Sequence, residues 1–95
     1  TGVHIELPPR TCGLLVSKSG LLTNHGISST GLIDEGYTGE IKVTLVNNSD
    51  VDYFVSTDDK ISQLVIIPCR YEPVQLVDSL NGGKRGNNGF GSTGK

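Results

Sequence analysis

The stretch Ile41-Lys42-Val43-Thr44-Leu45 places an apolar side chain at every second position and runs into Asn47-Asn48-Ser49-Asp50, four residues that favour turns. Period two marks a strand with one buried face; a helix would repeat its apolar positions at three and four. Val3-His4-Ile5-Glu6-Leu7 alternates in the same way and stops at Pro8-Pro9. Tyr53-Phe54-Val55 is a short β-prone run before Ser56-Thr57-Asp58-Asp59, and Val74-Gln75-Leu76-Val77 alternates again. Residues 61–67 read as a strand buried on both faces, stopped by Pro68. Residues 13–22 and 27–33 read as strands or hairpin arms interrupted by polar loops. No stretch sustains a helical apolar stripe. Many short strands separated by turns predict an all-β sandwich or barrel.

The chain has 95 residues and a mass of 10.1 kDa, enough for one domain. A folded chain of this mass exposes roughly 5,300 Å² and buries about 64% of its extended surface. That supports one modest core and no deep internal cavity, so an enzyme of this size is expected to build its site between subunits. The apolar runs are too short to cross a bilayer as helices. No basic segment followed by an apolar stretch opens the chain, so no signal peptide is visible. The expected location is cytoplasmic, or nuclear or host-cytoplasmic for a eukaryotic or viral source. Cys12 and Cys69 form no CxxC pair and are expected as reduced, mostly buried thiols. The absence of methionine means that residue 1 is not a translation start as written. A removed N-terminus or a piece of a longer protein is expected.

Charge is unevenly spread: residues 1–80 carry a net −5 and residues 81–95 a net +3. The acidic body lacks the footprint of a protein that binds polymeric nucleic acid. Residues 81–95 contain six glycines and one large apolar residue, Phe90. They cannot bury enough surface to order themselves, so a flexible tail is expected from Asn81.

Four segments hold the residue types of a phosphate-handling site. In the tail, residues 85–94 combine uncovered backbone amides, the Ser92 and Thr93 hydroxyls and the Arg85 guanidinium. These are the parts of a phosphate cradle, without the spacing of a P-loop. Phe90 has no core to join and suits stacking on a base. A plain linker and a ligand-closing lid both fit that composition. Asp34 follows Leu32-Ile33, where a strand leaves the core. It is either a solvated turn carboxylate or a partly buried one able to polarise water. Ser17-Lys18-Ser19-Gly20 brings a cation and hydroxyls to a tight turn, which ordinary turns also do. Gln63 interrupts an apolar strand, where a buried amide must find partners. His25 has no partner at catalytic spacing and receives no role.

Taken together these segments resemble the trimeric dUTPase family over about residues 1–95. Residues 1–8 are similar to the strand after the family's first motif, and Ser17-Lys18-Ser19-Gly20 to the second, which usually carries Arg-Ser. Residues 31–40 match the third, G-x-I-D-x-x-Y-x-G; Lys60-Ile61-Ser62-Gln63-Leu64 the fourth; and residues 85–94 the fifth, R-G-x-x-G-F-G-S-T-G. The first motif, A-G-x-D-L, falls upstream of Thr1 in the family pattern and is not in this chain.

The resemblance implies a jelly-roll or distorted β-barrel in a homotrimer with sites at subunit interfaces. Residues 1–80 would be the β domain, N-terminally incomplete, and residues 81–95 a flexible C-terminal lid. The implied reaction is dUTP plus water giving dUMP and pyrophosphate, with Mg²⁺ held by the phosphates and water rather than by protein ligands. Asp34 would be the general base for attack of water on the α-phosphorus. Tyr37 would pack on deoxyribose and exclude a 2′-hydroxyl. Lys18, Ser19, Gly20 and Gln63 would hold phosphates, as would Arg85, Gly91, Ser92 and Thr93, while Phe90 would stack on uracil. Backbone groups of a hairpin between His25 and Ile33 would read the uracil edge. The alternatives are a dCTP deaminase relative, which the Gly-Phe-Gly-Ser-Thr-Gly ending opposes, a regulatory protein binding nucleotide and a protein partner, and a dead homologue. No nucleic-acid or membrane partner is implied.

Overall fold

The computed structural model describes residues 1–89. In chain order it forms β1 (Thr11–Ser17), α1 (Ser19–His25), β2 (Ile27–Ile33), β3 (Thr44–Asn47) and β4 (Ser62–Pro68). The four strands make an antiparallel sheet in the order β3-β2-β1-β4. β1 and β4 pair along their whole length, from Thr11 opposite Pro68 to Ser17 opposite Ser62. β2 changes partner midway: its first four residues pair with β3, and its last three with β1. The expectation of a β-sheet protein holds, with one helix added.

Period two explains the inner face. Leu15 of β1 and Ile33 of β2 point to the same side and meet Leu7 and Ile41, with Ile5 and Val43 packed against them. Burying each such side chain contributes on the order of 2 kcal/mol. This small core sits directly beneath the turn that carries Asp34.

Residues 18–25 depart from the all-strand reading. The run Ser19–His25 is helical and is closed by Gly26 at φ 69, whose N–H bonds to the carbonyls of Leu21 and Leu22. Only Leu21 of this helix is buried. Two turns with one buried residue cannot produce a visible apolar stripe, so the pattern was silent; the Gly after His25 was the one helix-ending signal in the sequence.

Other strands are shorter than expected or absent. Residues 3–7 form no strand: they place Leu7 in the core, and a single backbone bond from Ile41 N to Val3 O, 2.9 Å, joins them to residues 41–43. The strand expected over 41–45 begins at Thr44. Residues 53–55 and 74–77 form no strand. Alternation alone does not make a strand without a neighbouring edge, and Val74 and Leu76 are 99% and 98% exposed. β4 is a strand, but Leu64, Val65 and Ile66 are exposed, so its expected burial on both faces does not occur within one chain. It lies at the sheet's edge, and among the described residues no further strand pairs with it.

The exposed surface is 8053 Å², well above the roughly 5,300 Å² of a compact chain of this mass. The radius of gyration is 18.6 Å, against about 13 Å for a compact domain of this length. Cys12 and Cys69 are free, and Cys12 is buried, as expected. Among the described residues no helix is long and apolar enough to cross a membrane.

Candidate active site

Asp34 is the first residue after β2. Its carbonyl accepts a hydrogen bond from Tyr37 N at 3.1 Å, and Gly36, at φ 90, lets the chain reverse between them. The turn folds Tyr37 back so that its hydroxyl donates to the Glu40 carbonyl at 2.6 Å. Asp34 and Tyr37 thereby line one cleft of about 240 Å³. Leu32, Ile33, Glu40, Ile41 and Lys42 line the same cleft. Asp34 itself is exposed, so partial burial of its carboxyl does not occur within one chain. The reason is local: Ile33 is the last core residue of β2, and the chain turns outward after it.

The stretch between His25 and Ile33 is not a hairpin but the end of α1 followed by a single strand. Of it, only Gly31, Leu32 and Ile33 reach the cleft. Of the other lining residues, Glu40 closes the third-motif segment, whereas Ile41 and Lys42 were read only as the start of a strand.

A second group forms at the far end of β1. Lys18 links β1 to α1, and Ser19 and Gly20 make the first turn of that helix. Gln63 is opposite Val16, and its side-chain amide donates to the Ser17 carbonyl at 3.2 Å. Gln63 is exposed rather than buried, because β4 is an uncovered edge. Three serines lock this corner. Ser17 Oγ donates to the Ser29 carbonyl at 3.2 Å and accepts from Ser29 N at 3.0 Å. Ser62 Oγ donates its one proton to Val16 O at 3.0 Å, so at 2.8 Å it accepts from Ser29 Oγ. Ser29, 8% exposed, is the buried centre of the lock. Only Ser17 and Ser62 of this trio were visible as motif neighbours.

The two groups do not meet in one chain. Ile33, beside Asp34, is opposite Gly13, whereas Lys18 lies five residues further along β1 and beyond. At the strand rise of about 3.3 Å per residue the separation is on the order of 15–20 Å. Arg85 lies in a separate turn, where its carbonyl accepts from Asn88 N at 2.7 Å. Among the described residues no hydrogen bond joins it to Asp34, Tyr37 or Gln63. Phe90, Gly91, Ser92 and Thr93 lie outside the described residues. No three His, Cys, Asp or Glu side chains among the described residues converge to hold a metal ion.

Sequence comparison places the geometry in a known setting. The dUTPase family profile matches residues 1–94. A deoxyuridine 5'-triphosphate nucleotidohydrolase of Clostridium acetobutylicum is 44% identical over 97 aligned residues, covering 99% of this chain and 67% of the relative. A probable deoxyuridine 5'-triphosphate nucleotidohydrolase of Schizosaccharomyces pombe is 43% identical, covering 99% and 68%. Among solved structures, the dUTPase of Staphylococcus bacteriophage 80alpha, determined with dUPNHPP, superposes with a TM-score of 0.79 at 25% identity, covering 97% of this chain and 72% of that one.

Proposed function

The chain belongs to the dUTPase family, and on that premise we propose that it hydrolyses dUTP to dUMP and pyrophosphate, supplying dUMP and limiting uracil incorporation into DNA. The observation that carries this reading is the cleft at the end of β2, which Asp34 and Tyr37 both line. A cleft of about 240 Å³ is near the lower bound of small-ligand pockets and suits a nucleoside rather than a whole nucleotide.

In this reading Asp34 accepts a hydrogen bond from a water molecule and takes its proton as the oxygen attacks the α-phosphorus. Pyrophosphate leaves from the opposite side. An exposed carboxylate on a turn can reach such a water, and closing the site would remove the bulk water around it. Tyr37, held by its bond to the Glu40 carbonyl, packs against the deoxyribose and leaves no room for a 2′-hydroxyl. Lys18, Ser19, Gly20 and Gln63 hold phosphate oxygens. Lys18 does so as a point charge rather than with the fork of an arginine. Arg85, Gly91, Ser92 and Thr93 complete the phosphate contacts, and Phe90 stacks on the base when residues 81–95 close as a lid.

Mg²⁺ enters as part of the substrate, bound to the triphosphate.

A homotrimer with sites at subunit interfaces is part of the proposal. The separation of Asp34 from Lys18 and Gln63 along β1 supports it, since the two groups do not line one cleft of a single chain. The uncovered apolar side chains of β4 and residues 74–80 support it too, because a monomer would leave them in water.

The test is pyrophosphate release from dUTP with Mg²⁺ by the full natural chain, with UTP, dCTP and dTTP alongside. Turnover confined to dUTP is expected. Turnover of dCTP instead would replace the substrate, and no turnover of any of the four would remove the catalytic reading.

A further inference from the structure

The Asp34 carboxylate takes no hydrogen bond among the described residues, yet Glu35, the residue that follows it, is tied down twice, through its backbone N–H and through its side chain. Glu35 N donates to the Tyr71 hydroxyl at 3.0 Å, and that hydroxyl donates its own proton to the Thr11 carbonyl at 2.8 Å. A phenol has one proton and free lone pairs, so the two bonds are compatible and fix its direction. Thr11 opens β1, and Tyr71 stands three residues beyond β4. One hydroxyl therefore joins the Asp34–Glu35 peptide to the paired part of the sheet.

The second tie runs through Arg10. Its N–H donates to Glu35 Oε1 at 2.5 Å, and its carbonyl accepts from Cys69 N at 3.0 Å. Arg10 has φ 58, a left-handed conformation that a residue with a side chain adopts at a cost. The twist aims its two backbone groups at Glu35 and at the segment carrying Tyr71. Arg10, Asp34, Glu35, Cys69 and Tyr71 line one open cleft on the side of Asp34 away from Tyr37.

The Glu35 N–H pulls the Tyr71 pKa down, but partial burial and the neighbouring Cys69 and Cys12 thiols outweigh it and leave it above its ordinary value of 10.0. The hydroxyl thus keeps its proton, and its bond to Thr11, at neutral pH.

We propose that Tyr71 is a positioning residue of the hydrolase: its hydroxyl fixes the Asp34–Glu35 peptide against the start of β1 and so sets the direction of the Asp34 carboxylate. Tyr71 lies outside all the motif segments, and the proposal rests on Asp34 being the base. Small displacements matter at such a group, because a shift of about 1 Å can cost up to about 100-fold in rate.

The experiment is Tyr71→Phe in the full natural chain, with Tyr71→Leu and Asp34→Asn alongside. The readouts are kcat and KM for dUTP and hydrogen exchange of the Glu35 amide. Tyr71→Phe is expected to lower kcat about tenfold, hold KM within about twofold and speed Glu35 exchange. Added to Asp34→Asn it should cost no further activity. Wild-type kcat in Tyr71→Phe overturns the proposal, whatever the exchange. A loss confined to Tyr71→Leu makes the ring a packing group and overturns it as well. Wild-type turnover in Asp34→Asn removes the base instead; Glu35 exchange then decides separately whether Tyr71 holds the turn.

Discussion

The Tyr37 ring occupies the space that a side chain on Gly39 would need: a Cβ there would stand 2.6 Å from the Tyr37 hydroxyl oxygen and 2.7 Å from Cζ. The glycine two residues after the tyrosine is thus a packing requirement. Gly39→Ala is expected to push the ring off the cleft. Because Tyr37 is 46% exposed, the ring can swing into water, and the stability cost should stay near about 1 kcal/mol. Function should suffer more. With the ring displaced, kcat/KM for UTP should rise relative to dUTP. An unchanged ratio, measured with both nucleotides, would mean that Tyr37 does not police the sugar.

Asp34→Asn keeps the size of the side chain and removes its ability to take a proton. Turnover of dUTP is expected to fall by about 10²–10⁴, the usual worth of a positioned base. Affinity for a non-hydrolysable dUTP analogue should stay near wild type, because Asp34 has no phosphate-binding duty in the proposed site. A loss of affinity equal to the loss of rate would turn Asp34 into a binding group.

The β class and the order of the candidate residues were legible because both depend on local pattern. The apolar run over 61–67 pointed to β4 and the alternation over 41–45 to the region of β3, while 27–33 was read only as a strand or hairpin arm. Asp34 and Tyr37, three residues apart in one motif, line one cleft. The illegible parts depend on partners. Helix α1 buries only Leu21, too little for a stripe to appear. Residues 74–77 alternate as a strand would, yet among the described residues they pair with no strand. Gln63 and Ile66 were read as buried from their apolar neighbours, but burial on an edge strand requires a surface that one chain does not supply. The tie from Tyr71 to Glu35 spans 36 positions, a distance over which no periodicity carries information.

Removal of residues 85–95 tests the lid. The core of Leu7, Leu15, Ile33 and Ile41 lies far upstream of the cut, so the melting temperature should change little. Catalysis should fall steeply, since the shortened chain loses Arg85, Phe90, Ser92 and Thr93 together and cannot exclude water. Full activity in the truncated chain would reduce the tail to a linker.

Glu40 links the cleft wall to Gly2 and gives a pH signature. Its carboxylate accepts from Gly2 N at 2.7 Å. That backbone bond holds its pKa below the ordinary 4.5. With the folded value depressed, the unfolded chain binds more protons between the two values, so folding stability rises with pH there. The contribution is complete above 4.5 and is lost as pH falls through the lower folded value. Glu40→Gln should therefore flatten the acid limb of stability, measured as denaturation midpoints from about pH 6 to 3. Well above the ordinary value the variant should be less stable than wild type, and the two should converge as the carboxyl protonates. Parallel acid limbs in the two proteins would mean that Glu40 is held no better folded than unfolded. The Gly2 bond would then play no part in seating residues 40–42 at the Asp34 cleft.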